Sequence, residues 1–125
     1  MGKRILVIED TEDNRQIIRD LLTSFDYELL EAVDGAEGVA MAQSERPDLI
    51  LMDIQLPGID GYEATRRIRA VPALATVPII AVTSYALSGD EAKTREAGCD
   101  GYIAKPFSPK KLLAKVREFL PEAAG

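Results

Sequence analysis

Several side chains suited to binding and transferring a charged group stand just past the ends of short apolar runs. Glu9 and Asp10 follow Ile5-Leu6-Val7-Ile8, and Asp53 follows Leu49-Ile50-Leu51-Met52. Thr83 and Ser84 follow Ile79-Ile80-Ala81-Val82, and Lys105-Pro106 follows Gly101–Ala104. Three carboxylates brought together repel unless something positive joins them. A hard divalent cation with oxygen ligands answers that need, and magnesium, which takes few carboxylates and keeps several waters, suits it best. A lysine and a hydroxyl on the same edge complete a site for a phosphoryl group, whose transfer depends on positioning and on neutralising charge over three equatorial oxygens. The metal, Lys105 and Thr83 would each take one oxygen. An aspartate can accept phosphate as an acyl phosphate. Asp53, alone on its strand end and followed by a loop with Pro57 and Gly58, is the candidate nucleophile. The chain has no histidine, so any phosphohistidine donor is another protein.

For these residues to meet, the apolar runs must lie side by side. The apolar period alternates between continuous runs and helical stripes in five rounds, which reads as alternating strand and helix. The first strand, Ile5–Ile8, leads to a helix from about Asp13 to Phe25 with Ile17, Ile18, Leu21, Leu22 and Phe25 on one face. The second strand lies near Tyr27–Ala32, and its helix opens at Asp34-Gly35 and carries Val39, Ala40 and Met41. The third strand runs from Asp48 through Leu49-Ile50-Leu51-Met52, with Asp53 just past its end, and the next helix is capped by Asp60. After the fourth strand a helix near Gly89–Ala97 stops at Gly98 in a left-handed cap. The last helix takes Ser108 as N-cap and Pro109 as its first residue. Continuous apolar strands separated by helices pair in parallel and are covered on both faces. The expected fold is α/β: a doubly wound, five-stranded parallel sheet in the flavodoxin-like order 2-1-3-4-5, with function at the carboxyl ends of the strands. That order sets the first and third strands beside the reversal, where Glu9, Asp10 and Asp53 converge.

Composition narrows the class of function. With 15 Lys and Arg against 21 Asp and Glu, the 125 residues carry a net charge of −6, which argues against nucleic acid as a direct ligand. One cysteine, Cys99, allows no internal disulfide or cysteine-based zinc site. No apolar run approaches the length of a membrane span, so the expectation is a cytoplasmic protein of one domain, 1–125, with its core at about 3–120 and a frayed tail.

The sequence resembles the receiver domain of bacterial two-component response regulators from about Lys3 to Leu120. Four motifs in order carry the likeness: Ile-Glu-Asp at 8–10, Leu-Met-Asp-Ile-Gln-Leu-Pro-Gly-Ile-Asp-Gly at 51–61, Val-Thr-Ser at 82–84 and Tyr-Ile-Ala-Lys-Pro-Phe at 102–107. The resemblance implies a receiver fold in which Asp53 is the phosphoacceptor. It makes Asp10 a direct magnesium ligand, Glu9 a ligand through water and Gln55 a ligand through its backbone carbonyl. Thr83 and Lys105 would bind phosphoryl oxygens, Thr83 and Tyr102 would move together as the switch, and the Lys105–Pro106 bond would be cis. Gly-Asp-Glu at 89–91 and the short tail also resemble stand-alone receivers that relay cell-division signals. A sensor histidine kinase or histidine phosphotransfer protein would be the donor, docking at the first helix, and a downstream protein the target. Such a chain assists its own phosphorylation and dephosphorylation and is not otherwise an enzyme. Glu9 stands where the family more often has Asp, and Ser84 where it has Ala or Gly. Gln55 and Tyr85 occupy positions at which receivers tune the lifetime of the phosphoryl group.

Two other classes share this fold. A flavin module needs backbone and hydroxyl donors after its first strand, but here that loop is Glu-Asp-Thr-Glu-Asp. A phosphatase with an aspartyl intermediate often carries a second acid two residues past the nucleophile, and position 55 is Gln.

Overall fold

Five parallel strands, β1 (Arg4–Ile8), β2 (Glu28–Ala32), β3 (Leu49–Asp53), β4 (Ile79–Thr83) and β5 (Gly101–Ala104), form one sheet in the order β2-β1-β3-β4-β5. The computed structural model describes residues 2–84 and 90–120, with Asp90 described by its backbone alone. Tyr85, Gly89 and the tail beyond Leu120, all named above, lie outside the described residues.

Every residue of β3 and β4 is buried, as is β1 after Arg4, because these strands are covered on both faces. Side chains alternate between two cores. Leu6, Ile8, Ile50, Met52, Ile79 and Ala81 pack on one side with Ala42, Ala64 and Ile68. Ile5, Val7, Leu49, Leu51, Ile80 and Val82 pack on the other with Ile18, Leu22, Leu112 and Val116. Helices α1 (Glu12–Thr23) and α5 (Pro109–Phe119) therefore cover one face, and α2 (Gly35–Glu45) and α3 (Gly61–Arg69) the other. Helix α4 (Asp90–Ala97) lies beside α3 and β5. Among the described residues no helix is long and apolar enough to cross a membrane.

The expected caps form. Asp34 and Asp60 accept backbone N–H bonds from Glu37 and Glu63 at 2.8 and 2.9 Å, and Ser108 accepts one from Lys111 at 3.1 Å. Gly98 ends α4 at φ +117°, a backbone conformation that side chains disfavour.

The buried face of α1 differs in part from expectation, and that of α2, not assigned from the sequence, is set by glycine. In α1 the buried stripe is Arg15, Ile18 and Leu22, while Ile17 is 53% and Phe25 43% exposed. The helix stops at Thr23, and Asp26 at φ 68° turns the chain toward β2. In α2 the buried face is Gly35, Gly38 and Ala42, with Ala40 exposed and Val39 and Met41 only partly buried. A β-carbon at 38 would lie 2.4 Å from an Ile8 side-chain atom, so glycine is what lets this helix approach the sheet. A one-turn 3₁₀ helix, Pro72–Leu74, was also not anticipated.

Arg69 binds the amino-terminal pole of β4 and β5 together. Its guanidinium donates to the carbonyls of Gly98, Leu74 and Val77 at 2.9, 3.0 and 2.6 Å, and to Asp100 Oδ2 at 2.6 Å. Asp100 Oδ2 also accepts the Ile79 N–H at 3.0 Å.

Candidate functional site

Strand register sets the three carboxylates at one place. Ile8 lies opposite Met52, and Asp53 opposite Val82, so the residues after β1 and at the end of β3 reach the same sheet edge. Carboxylate oxygens of Glu9, Asp10 and Asp53 lie within 4.8 Å of one another. Glu9 and Asp53 are each 3% exposed, whereas Asp10 is exposed and forms the outer wall. A tight turn supports Asp53: the Gln55 N–H donates to its Oδ1 at 3.0 Å, and the Gly61 N–H donates to the Ile54 carbonyl at 2.9 Å. A β-carbon at 61 would meet the Asp53 carbonyl oxygen at 2.4 Å, so α3 begins directly against the strand end.

Lys105 reaches in from the far side of the sheet. Its N–H donates to the Thr83 carbonyl at 2.7 Å, its bond to Pro106 is cis, and Thr83 pairs in register with Ala104. The ammonium then donates to Glu9 Oε1 at 2.8 Å and to Asp53 Oδ2 at 3.2 Å. Thr83 is fully buried at the end of β4, and Ser84 beyond it is exposed, its N–H donating to Gln55 Oε1 at 3.4 Å. Tyr102 lies across from Ala81 and lines a cavity of about 210 Å³ beside α4, outside the carboxylate cluster. A second cavity, of about 450 Å³, lined by Asn14, Ile17, Ser84, Lys105, Pro106 and Phe107, opens beside the ammonium.

Electrostatics follow from this crowding. Partial desolvation at the rim of the pocket, then the hydrogen bond and charge of Glu9, push the Asp10 carboxyl above its ordinary 3.8, against the pull of its own backbone amide and Lys105. Burial alone would lower the Lys105 ammonium, but bonding to Glu9 and the charges of Asp53 and Glu9 outweigh it and hold it above 10.5. Lys105 is thus charged at neutral pH, and its contribution to stability fades only as pH rises through that elevated value. The sign for Asp10 is opposite. A carboxyl raised in the fold is a cost at neutral pH, relieved as pH falls through its raised value. Asp10→Asn is therefore expected to raise the melting temperature of the metal-free chain at pH 7, with the gain shrinking on acidification; thermal melts at both pH values check this.

Sequence reasoning did not anticipate three groups that hold Glu9. The Thr11 N–H donates to Oε2 and the Asn14 amide to Oε1, each at 3.2 Å. Arg15, buried in α1, donates to the Glu9 main-chain carbonyl at 2.7 Å. A signal for the last was present: an arginine on the helical stripe it shares with Ile18 and Leu22 is at a position meant for an apolar side chain.

This geometry has close counterparts. The model of the response regulator receiver domain matches residues 5–117. The chain is 40% identical to the polar-differentiation response regulator DivK of Brucella anthropi over 98% of its own length and all of DivK. Among solved structures, the receiver domain of the sensor histidine kinase PA1611 from Pseudomonas aeruginosa, which has a magnesium ion coordinated in its active-site cleft, superposes with a TM-score of 0.90. It shares 41% identity and covers 96% of this chain and 98% of its own. The chemotaxis response regulator CheY4 of Vibrio cholerae superposes at 0.91 with 28% identity, covering 95% and 99% of the two chains. A five-stranded sheet of this order, carrying an acidic pocket and a lysine at its carboxyl edge and matching along nearly the whole chain, makes this protein a member of the response regulator receiver domain family.

Proposed function

We propose that Asp53 accepts a phosphoryl group from a phosphohistidine on a sensor histidine kinase or phosphotransfer protein, and that the aspartyl phosphate changes which proteins this chain contacts. The observation that carries the reading is the convergence of Glu9, Asp10 and Asp53 within 4.8 Å, with the Lys105 ammonium bonded to two of them. An all-oxygen donor set of this kind fits a hard cation. Asp10, Asp53 and the Gln55 carbonyl would hold magnesium directly and Glu9 through water, and the ion would neutralise charge on the carboxylates and phosphoryl oxygens. In the transfer an Asp53 carboxylate oxygen forms the new bond to phosphorus as the bond from phosphorus to the donor's imidazole nitrogen breaks, and the electron pair leaves with the imidazole. Lys105 and the Thr83 hydroxyl receive the equatorial oxygens. Thr83, at the end of β4, and Tyr102, on β5, then serve as the switch that biases α4 and β5 between two arrangements.

The chain 1–125 is read as one receiver domain, supported by end-to-end alignment with DivK. It acts in the cytoplasm through protein contacts, without nucleic acid or membrane. Its catalysis is confined to its own phosphorylation and dephosphorylation. The donor would approach over the cavity between α1 and Phe107, where exposed Ile17 offers apolar contact beside Lys105. Intact-mass measurement after incubation with magnesium and acetyl phosphate tests the reading: a gain of one phosphoryl group supports it, and an unmodified mass refutes it. Magnesium should also stabilise the fold, because an ion that binds only the native state adds RT ln(1 + [L]/Kd). At ten times Kd that is about 1.4 kcal/mol, read as a higher melting temperature; no shift at saturating ion would exclude the metal site.

A further inference from the structure

The Glu9 carbonyl belongs to the peptide plane that joins Glu9 to Asp10, so whatever fixes that oxygen also fixes how the two carboxylates are aimed. We propose that Arg15 is a positioning residue for the acidic pocket: it clamps this carbonyl and thereby orients Glu9 and Asp10 toward Asp53. The proposal rests on the magnesium reading above and deepens it.

Arg15 touches none of the three pocket carboxylates by any described bond, yet it is buried directly behind them. One guanidinium nitrogen donates to the Glu9 carbonyl at 2.7 Å, a second bonds Glu12, and the third faces Glu31 Oε1 at 3.4 Å. Glu31 lies across from Val7 in the β1–β2 register, and Val7 packs in the core beneath α1, which brings the Glu31 carboxylate under the helix. Arg19, one turn on, donates twice to Glu31 at 2.7 Å and once to Glu12 at 3.2 Å. Glu12 and Glu31 therefore hold Arg15 from two directions while it holds the turn. The Glu9 N–H donates to Ala32 at 3.0 Å and the Arg15 N–H to Thr11 at 3.0 Å, so both ends of the turn are tied to β2 and α1. Without the guanidinium, the Glu9 carbonyl loses its donor and the peptide is released to rotate toward another. Lysine can reach the carbonyl but cannot fork to both acids, so it should replace arginine only in part.

Removing a group that orients metal ligands typically weakens metal binding by about tenfold or more. The test is a magnesium titration of wild type, Arg15→Gln, Arg15→Lys and Ile18→Val, followed by amide chemical shifts, with melting temperatures alongside. The magnesium dependence of acetyl-phosphate labelling is measured in parallel. Arg15→Gln should raise the magnesium dissociation constant about tenfold. Its labelling should return to near the wild-type rate at saturating ion, and Arg15→Lys should fall between the two. Ile18→Val, a core trim on the same helical stripe, should lower the melting temperature without moving the magnesium constant. An Arg15→Gln chain that binds magnesium as wild type does would overturn the proposal. If that variant does not fold, an unchanged constant in Arg15→Lys overturns it equally. A wild-type chain that binds no magnesium would remove the metal reading and this proposal together, which separates that failure from the first two.

Discussion

Asp53→Asn is expected to gain no phosphoryl group under conditions that label the wild-type chain to one per molecule. The amide is nearly isosteric with the carboxylate, so the turn that packs Gly61 against the strand end is undisturbed. What is lost is the anionic oxygen that must attack phosphorus. The effect is all or none, because Glu9 is bonded by Lys105, Asn14 and Thr11, and Asp10 stands outside as the exposed member. Intact-mass measurement after magnesium and acetyl phosphate reads the result directly. Labelling at unchanged stoichiometry would move the acceptor elsewhere.

Lys105→Ala should have the next largest effect, on two separate measurements. Two carboxylates that are 3% exposed would lose the one ammonium bonded to both, and stripping one partner from a buried ion pair costs about 3 kcal/mol. The metal-free variant should therefore melt well below wild type at pH 7. Added magnesium should recover part of the deficit, because the ion supplies positive charge to the same oxygens. Phosphorylation should slow severely yet still reach Asp53, because a charge partner has been deleted and the nucleophile has not. A variant that melts as wild type does, and gains no more from magnesium than wild type gains, would contradict the electrostatic account of the pocket.

The parts of this protein that could be read from its sequence are those in which side-chain polarity alone sets position. β3 and β4 are apolar up to their last residues because both faces are covered, and the change from Met52 to Asp53 or from Val82 to Thr83 marks the carboxyl edge of the sheet, where the pocket is built. Asp34, Asp60 and Ser108 were legible as caps because a short polar side chain before a helix has one favoured partner. The helix faces that were not legible depend on distance instead. α2 packs through Gly35 and Gly38, whose contribution is to be small, and no scale of apolarity ranks glycine as core. Ile17 on α1 and Phe25 just past its end fit the stripe by type but are exposed, while Arg15 shares the buried stripe with Ile18 and Leu22. Arg15 is stable there because Glu12, one turn earlier in α1, and Glu31 on β2 both face it, and the Glu31 partner is a long-range match that local periodicity does not contain. Within the site, the residues at strand ends were visible and those acting through backbone atoms, such as Arg15 on the Glu9 carbonyl, were not.

The Arg69 cluster sets the mechanics of the opposite pole. It joins α3, the 3₁₀ turn, the start of β4 and the turn after α4 through four bonds from a single guanidinium. One end of α4 is thus held at Gly98, so if α4 shifts as proposed on phosphorylation, it would lever about a fixed fulcrum, with amplitude growing toward Asp90. The amide protons around Gly98 and Asp100 should then exchange slowly in both phosphorylation states, with differences between the states rising along α4 away from the pin. Arg69→Ala would free the fulcrum, and the proposed movement of the same helix would then be a slide in place of a pivot.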